Sequence, residues 1–256
     1  MNTNYTKGSC VVKKYLFVVL FLFVSVCEAK TLDVEYKVSF GILGELGVSH
    51  ARLETHGNKY SISIDAKATG IAKSLSRDRK EKHLSEGFIR NGIYHAKSYT
   101  MEVTYGEKRR VKYYTIDHRT KSVTKKKQTY EKGKLVSEST EKLDFYSSDD
   151  LLTLYFNLSK YLGKNPKEGK HTFRAVGAEK QRGKVEVYLP ASKELSDYID
   201  QLGEGEYRYL TAVIYQKIFD SNKGELMLAI GSDGITQKAV LKDLIMFGDL
   251  EAERVK

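Results

Sequence analysis

Along most of this chain apolar residues recur at every second position, and that period admits few folds. Leu32, Val34, Tyr36, Val38 and Phe40 share one side of an extended segment, and Tyr60, Ile62, Ile64, Ala66 and Ala68 share one side of another. Successive side chains of a strand point to opposite faces, so this alternation predicts strands with one face buried. Segments of the same style follow at "GIYHAKSYTMEVTY", "RRVKYYTI", "HTFRAV", "KVEVYL", "YRYLTAVIYQKIF", "ELMLAI" and "ITQKAVLKDLIMF". Between strand-like runs stand Gly57-Asn58, Asn91-Gly92, Gly106-Glu107, Lys132-Gly133, Lys223-Gly224 and Asp233-Gly234. Tight hairpin turns need positive φ, which Gly and Asn adopt at little cost, so these pairs predict antiparallel neighbours.

Two segments change period. Residues 147–162, "SSDDLLTLYFNLSKYL", take helical spacing, with Ser147 or Ser148 as cap and Gly163 as stop. Asp149 and Asp150 suit the positive end of the helix dipole. Leu151, Leu154, Tyr155, Leu158 and Leu162 form an apolar stripe, widened by Leu152, Phe156 and Tyr161, and so broad a stripe implies burial. Residues 192–203 read as a shorter, more polar helix ending at Gly203. Gly41, Gly44 and Gly47 interrupt the first hairpin, where glycine marks bends and bulges. The expected fold is mainly β: a curled antiparallel meander sheet, a barrel or half-barrel, wrapping one buried helix, plus a short second helix.

The first 29 residues stand apart. Lys7, Lys13 and Lys14 precede the apolar stretch 15–26, and Cys27-Glu28-Ala29 places a small residue before a cut, the layout of a secretory signal peptide. The stretch falls short of the ~20 residues a membrane-spanning helix needs, so no transmembrane segment is expected in the mature chain. Cleavage after Ala29 is the expectation. Lipidation at Cys27 is the alternative, disfavoured by the bulky Val26 before it. One periplasmic domain, 30–256, would remain. Cleavage would also remove both cysteines, Cys10 and Cys27, and with them any disulfide, thiol nucleophile or cysteine metal site. Charge enters the argument here: 43 Lys and Arg against 33 Asp and Glu give +10. Basic chains suit nucleic acid, but export separates this one from it. Anionic lipid headgroups or envelope polymers remain as counterparts.

His50, His56, His83, His95, His118 and His171 have no metal-ligand spacing. "GSDG" (231–234) holds a serine between glycines but reads as a turn. "GAEKQRGKV" (177–185) has one residue too many for a phosphate loop, and Val185 stands where Ser or Thr should hold magnesium. "DSNKGE" (220–225) is too short for a calcium loop. Asp33, Glu35, Glu54 and Asp65 lie on early strands, yet nothing selects two of them for acid–base work. No catalytic, cofactor-binding or metal residue is predicted, and no enzyme.

Several segments carry a family resemblance: "VEYKVSFGILGELGVSHARLE", "AKATGIAKSL", "HLSEGFI", "DDLLTLYF" and "LMLAIGSDGITQKAVLKDLIMFGDLEAERV". In that order they resemble the uncharacterised Gram-negative envelope family catalogued as domain of unknown function 3108. A proline often found after that family's last turn is absent, with Lys238 and Ala239 in its neighbourhood. The resemblance implies a β-rich, curled-sheet envelope protein and supplies no site.

The expected function is non-enzymatic binding. Residues 207–219 are apolar on both faces, which implies cover on both sides. Leu151, Leu154, Tyr155, Leu158, Leu162, Tyr207 and Tyr209 are the residues expected to face a lipid-like ligand or fill the core. The alternative is an envelope assembly or scaffold protein that binds another protein or an anionic surface through Lys125, Lys126 and Lys127.

Overall fold

The computed structural model describes residues 30–41, 44–215, 224–244 and 248–256. The expected leader, both cysteines, and Asp220 and Asn222 of the calcium-like stretch lie outside the described residues.

Strands come in two series. The first comprises β1 (Lys30–Phe40), β2 (Gly44–His56), β3 (Lys59–Ala68), β4 (Lys80–Arg90), β5 (Ile93–Tyr105), β6 (Lys108–Asp117), β7 (Ser122–Glu131) and β8 (Lys134–Lys142). A six-residue helix, α1 (Gly70–Leu75), separates β3 from β4. After helix α2 (Leu151–Leu162) comes the second series. It comprises β9 (Gly169–Arg174), β10 (Lys184–Leu189), β11 (Arg208–Ile214), β12 (Gly224–Ile230), β13 (Thr236–Leu244) and β14 (Gly248–Arg254). Helix α3 (Leu195–Leu202) lies between β10 and β11.

Among the described residues fourteen strands join one antiparallel sheet in the order β8-β7-β6-β5-β4-β3-β2-β1-β14-β13-β12-β11-β10-β9. The chain therefore lays down two meanders, and β1 pairs with β14 to join them, Tyr36 opposite Arg254 and Phe40 opposite Leu250. This corrects the expected curled sheet, barrel or half-barrel wrapping a helix. The order is linear, and β8 and β9 are its two edges, so the sheet is open. Closure needs a first strand that pairs with the last. Every residue of β8 is exposed, so no buried face draws that edge toward another strand. The glycines of the first hairpin serve local ends instead. Gly41 and Gly44 take positive φ at the turn. Gly47 sits beside a bulge at Val38/Ser39, where an added Cβ would meet the Lys67 carbonyl oxygen at 2.4 Å.

Helix α2 packs against both series. Leu154 and Leu158 pack with Val185, Val187, Leu210 and Leu228 of the second series. Leu152 and Phe156 pack on Leu53, Tyr60 and Ile62 of the first. Helix α3 covers the other face of β11, where Tyr198 and Leu202 meet Tyr209. Strand β11 is thus covered on both sides.

Candidate functional site

The cap of α2 is Asp150, whose carboxylate accepts hydrogen bonds from the N–H groups of Leu152 (2.8 Å) and Thr153 (3.0 Å). Ser85 on β4 donates to its second oxygen at 2.5 Å, and the Thr153 hydroxyl does so at 3.1 Å. Tyr60 on β3 completes the cluster through Thr153, at 2.8 Å. Burial pushes the Asp150 carboxyl up to about 6, against the pull of these hydrogen bonds. Its neighbour Asp149 is also pushed up by burial, while the Asn157 amide and the Tyr161 hydroxyl donate to it.

One turn further on, α2 is tied to both series. Asn157 hydrogen-bonds the backbone of Tyr94 on β5. The Tyr155 hydroxyl accepts from the Thr236 N–H at 2.9 Å and donates toward the Gly234 carbonyl at 3.2 Å, in the β12–β13 turn. Suspended between these ties, the helix leaves space beneath it. An apolar pocket of about 240 Å³, partly open to solvent, lies between α2 and the sheet, walled by Val34, Ile62, Ile64, Leu152, Phe156 and Leu226. A larger cleft of about 750 Å³ adjoins it, and the two share Leu32, Tyr155, Phe156 and Ile235. The larger cleft carries the polar groups Lys160, Glu206, Arg208 and Asp233.

The hollow has a cause in sequence. Ala239 on β13 faces Ala252 on β14, which faces Val38 on β1, which faces Gly47 on β2. Ala51 and Ser49 flank this row. Small side chains in adjacent strands leave volume that no neighbour fills, and close packing fails there.

The predicted residues divide accordingly. Tyr155, Leu158 and Leu162 line the larger cleft, and Tyr155 lines both. Leu151 and Leu154 pack into the core against the second series. Tyr207 and Tyr209 belong to the α3 side of β11, and the Tyr209 hydroxyl donates to the Gly203 carbonyl at 2.7 Å. Ala51, Ile235, Ala239 and Ala252 went unrecognised in the sequence; the signal was a run of alanines at inward positions.

The basic stretch is internally paired. Lys125 is nearly buried and meets Glu141 at 3.0 Å and Glu179 at 3.6 Å. Lys126 pairs with Glu138 at 3.1 Å and Lys127 with Glu141 at 3.2 Å. Of the early carboxylates, Asp33 bonds His50 and Arg52, Glu54 meets Arg52, and Asp65 meets Lys82. A groove of about 550 Å³ is lined by charged groups, among them Asp65, Lys82 and Glu102, each in an ion pair, and Lys67. The histidines have separate partners: His83 bonds the Tyr99 hydroxyl, and His118 bonds Tyr146 and the Ala96 carbonyl. Among the described residues no group of three or more His, Cys, Asp or Glu is placed to hold a metal ion. Nor is any helix among them long and apolar enough to cross a membrane.

Fold and site together define an open antiparallel β-sheet protein with an apolar cleft under one helix. No family model matches the chain, and no curated protein matches it. Among solved structures it is similar to a beta-barrel-like protein of domain of unknown function DUF1849 from Brucella abortus. Identity is 11%, the match covers 88% of this chain and 95% of that one, and the TM-score is 0.50. That likeness concerns the fold alone. It corrects the resemblance drawn from strand and turn order, since the neighbour belongs to a different uncharacterised family from domain of unknown function 3108. Strand-and-turn patterns of this kind recur in unrelated sheets and do not discriminate between families.

Proposed function

We propose that this is a non-enzymatic cell-envelope protein, exported with removal of residues 1–29, that holds the apolar part of a lipid-like ligand under α2. The observation that carries the reading is the 240 Å³ pocket, whose walls are apolar apart from a few groups such as Ser49, Arg52 and Thr236. Thr236 is already engaged: its N–H bonds Tyr155, and its carbonyl accepts from the Tyr36 hydroxyl at 3.0 Å. An apolar space of this kind attracts alkyl chain over water, at about 0.8 kcal/mol per buried methylene. The pocket takes a short alkyl segment, and the adjoining cleft takes the remainder and any polar end. The scaffold alternative has less support, because Lys125, Lys126 and Lys127 are already paired with glutamates.

The test is extraction of protein purified from the cell envelope, with mass spectrometry of the organic phase and titration with a fluorescent fatty acid. Co-purifying amphiphile and saturable uptake are expected. A protein that extracts clean and takes up no probe refutes the reading.

A further inference from the structure

We propose that α1 and its flanking turn form a docking element for an anionic lipid bilayer, separate from the cleft and independent of what the cleft holds. Ile71 is 77% exposed and Leu75 78% exposed, more than any other large hydrophobic residue among those described. They stand four positions apart on α1, so both project from one side of the helix. None of the residues of α1 is buried. Two bulky aliphatic side chains exposed side by side on one short helix offer an apolar point of contact.

The surroundings state the partner's charge. Segment 67–80 carries Lys67, Lys73, Arg77, Arg79 and Lys80 against one acid, Asp78. Arg79 is paired with Glu81, and Lys80 with Asp78. Lys67, Lys73 and Arg77 are exposed and have no ion pair among the described residues. Exposed apolar side chains on α1, with exposed Lys73 on the same helix and Arg77 in the turn after it, match the boundary between anionic headgroups and acyl chains. A protein partner fits less well, since stable interfaces take roughly 800 Å² from each side and the apolar part here is two side chains.

The tip is also held in place. The Thr69 N–H bonds the Leu46 carbonyl at 2.8 Å, and the Ala68 N–H bonds the Arg79 carbonyl at 3.1 Å, closing the excursion at its base. The Arg77 carbonyl accepts from the Gly106 N–H at 2.6 Å, tying the segment to the β5–β6 turn. Arg77 and Asp78 both take left-handed backbone angles there. A rigid tip inserts without first paying an ordering cost.

The chain contains no tryptophan, which makes a single introduced one a clean reporter. The experiment uses residues 30–256 and vesicles of pure phosphatidylcholine or of phosphatidylcholine with phosphatidylglycerol. Co-sedimentation with the anionic vesicles alone is expected, weakening in 1 M salt as charges are screened. Leu75→Trp emission should shift to the blue on binding, whereas Val136→Trp, at the β8 edge, should not shift. The double substitution Ile71→Ser, Leu75→Ser should weaken binding at least about tenfold. Lys73→Glu should weaken it by roughly fivefold or more. All these positions are exposed, so unchanged thermal melts identify folded variants. No binding to anionic vesicles overturns the proposal. So does binding that ignores the serine substitutions, a blue shift at 136 instead of 75, or capture of Ile71 and Leu75 by a protein in the absence of lipid.

Discussion

Asn157 pairs with Tyr94 as one strand residue pairs with another. Its side-chain oxygen accepts from the Tyr94 N–H at 2.9 Å, and its amide nitrogen donates to the Tyr94 carbonyl at 2.8 Å. A fully buried helix residue thereby satisfies both backbone groups of a residue in β5. The same amide donates to Asp149 at 2.6 Å.

Asn157→Ala strips a partner from four polar groups at once: the Tyr94 N–H, the Tyr94 carbonyl, Asp149 and the Tyr161 hydroxyl. Buried groups left unpaired each cost about 1–3 kcal/mol, so a loss on the order of 3–4 kcal/mol is expected. Urea unfolding checks it: the midpoint should fall with the slope unchanged. Asn157→Asp should cost as much or more, because it sets another carboxylate beside Asp149.

The Asp150 carboxyl sets a pH dependence. Its folded value, about 6, lies above the ordinary 3.8, so its contribution to stability is fully present below about pH 4 and is lost as pH rises through 6. The size is on the order of 3 kcal/mol. Asp150→Asn keeps the cap acceptor and removes the ionisation. Its stability relative to the parent should therefore rise between pH 4 and pH 7, measured by urea unfolding across that range. A constant difference over the whole range contradicts the assignment.

Filling the hollow should separate binding from stability. Ala51→Leu places three extra carbons toward the 240 Å³ pocket. Overpacking is penalised where space is lacking, but here stability should change by less than about 1 kcal/mol. Uptake of a fluorescent fatty acid should weaken about tenfold, the equivalent of roughly two displaced methylenes. Titration of both proteins, with thermal melts as control, decides it.

Gly87 marks the closest approach in β4. A Cβ there would lie 2.0 Å from the His95 carbonyl oxygen and 2.8 Å from the Tyr60 ring, beside the bulge at Glu86/Gly87. Gly87→Ala should cost about 2–3 kcal/mol, lowering Tm by roughly 5–10 °C. Calorimetry checks it.

Much of the sheet is readable from local chemistry. The turns at Gly57-Asn58, Asn91-Gly92, Gly106-Glu107, Lys132-Gly133 and Asp233-Gly234 each connect the strands they punctuate, because positive φ is a property of single residues. Helix α2 falls where the spacing of its leucines places it, although its cap is Asp150 and not a serine. Segment 192–203 becomes a short 3₁₀ turn followed by α3, ending at Gly203. Strand β4 shows only as the "HLSEGFI" of the family resemblance, and α1, a single turn and a half between strands, leaves no periodic signal. Edge identity was illegible, because pairing of β1 with β14 depends on residues more than 200 positions apart. The cleft was half legible. Its helical wall announces itself by periodicity, whereas its floor depends on which alanines become neighbours across three strands, a fact of register alone.

The seam between β1 and β14 has a consequence in time. During synthesis the first series can assemble strand by strand, but β1 keeps an open flank until Gly248–Arg254 have been made. Pairings between such remote segments form slowly, and an exposed strand flank invites the wrong neighbour meanwhile. The seven-residue strand β14 therefore acts as a clasp. A nascent chain stalled or clipped before Gly248 is left with two half-sheets and a bare flank on each, the form in which cellular quality control would be expected to find it.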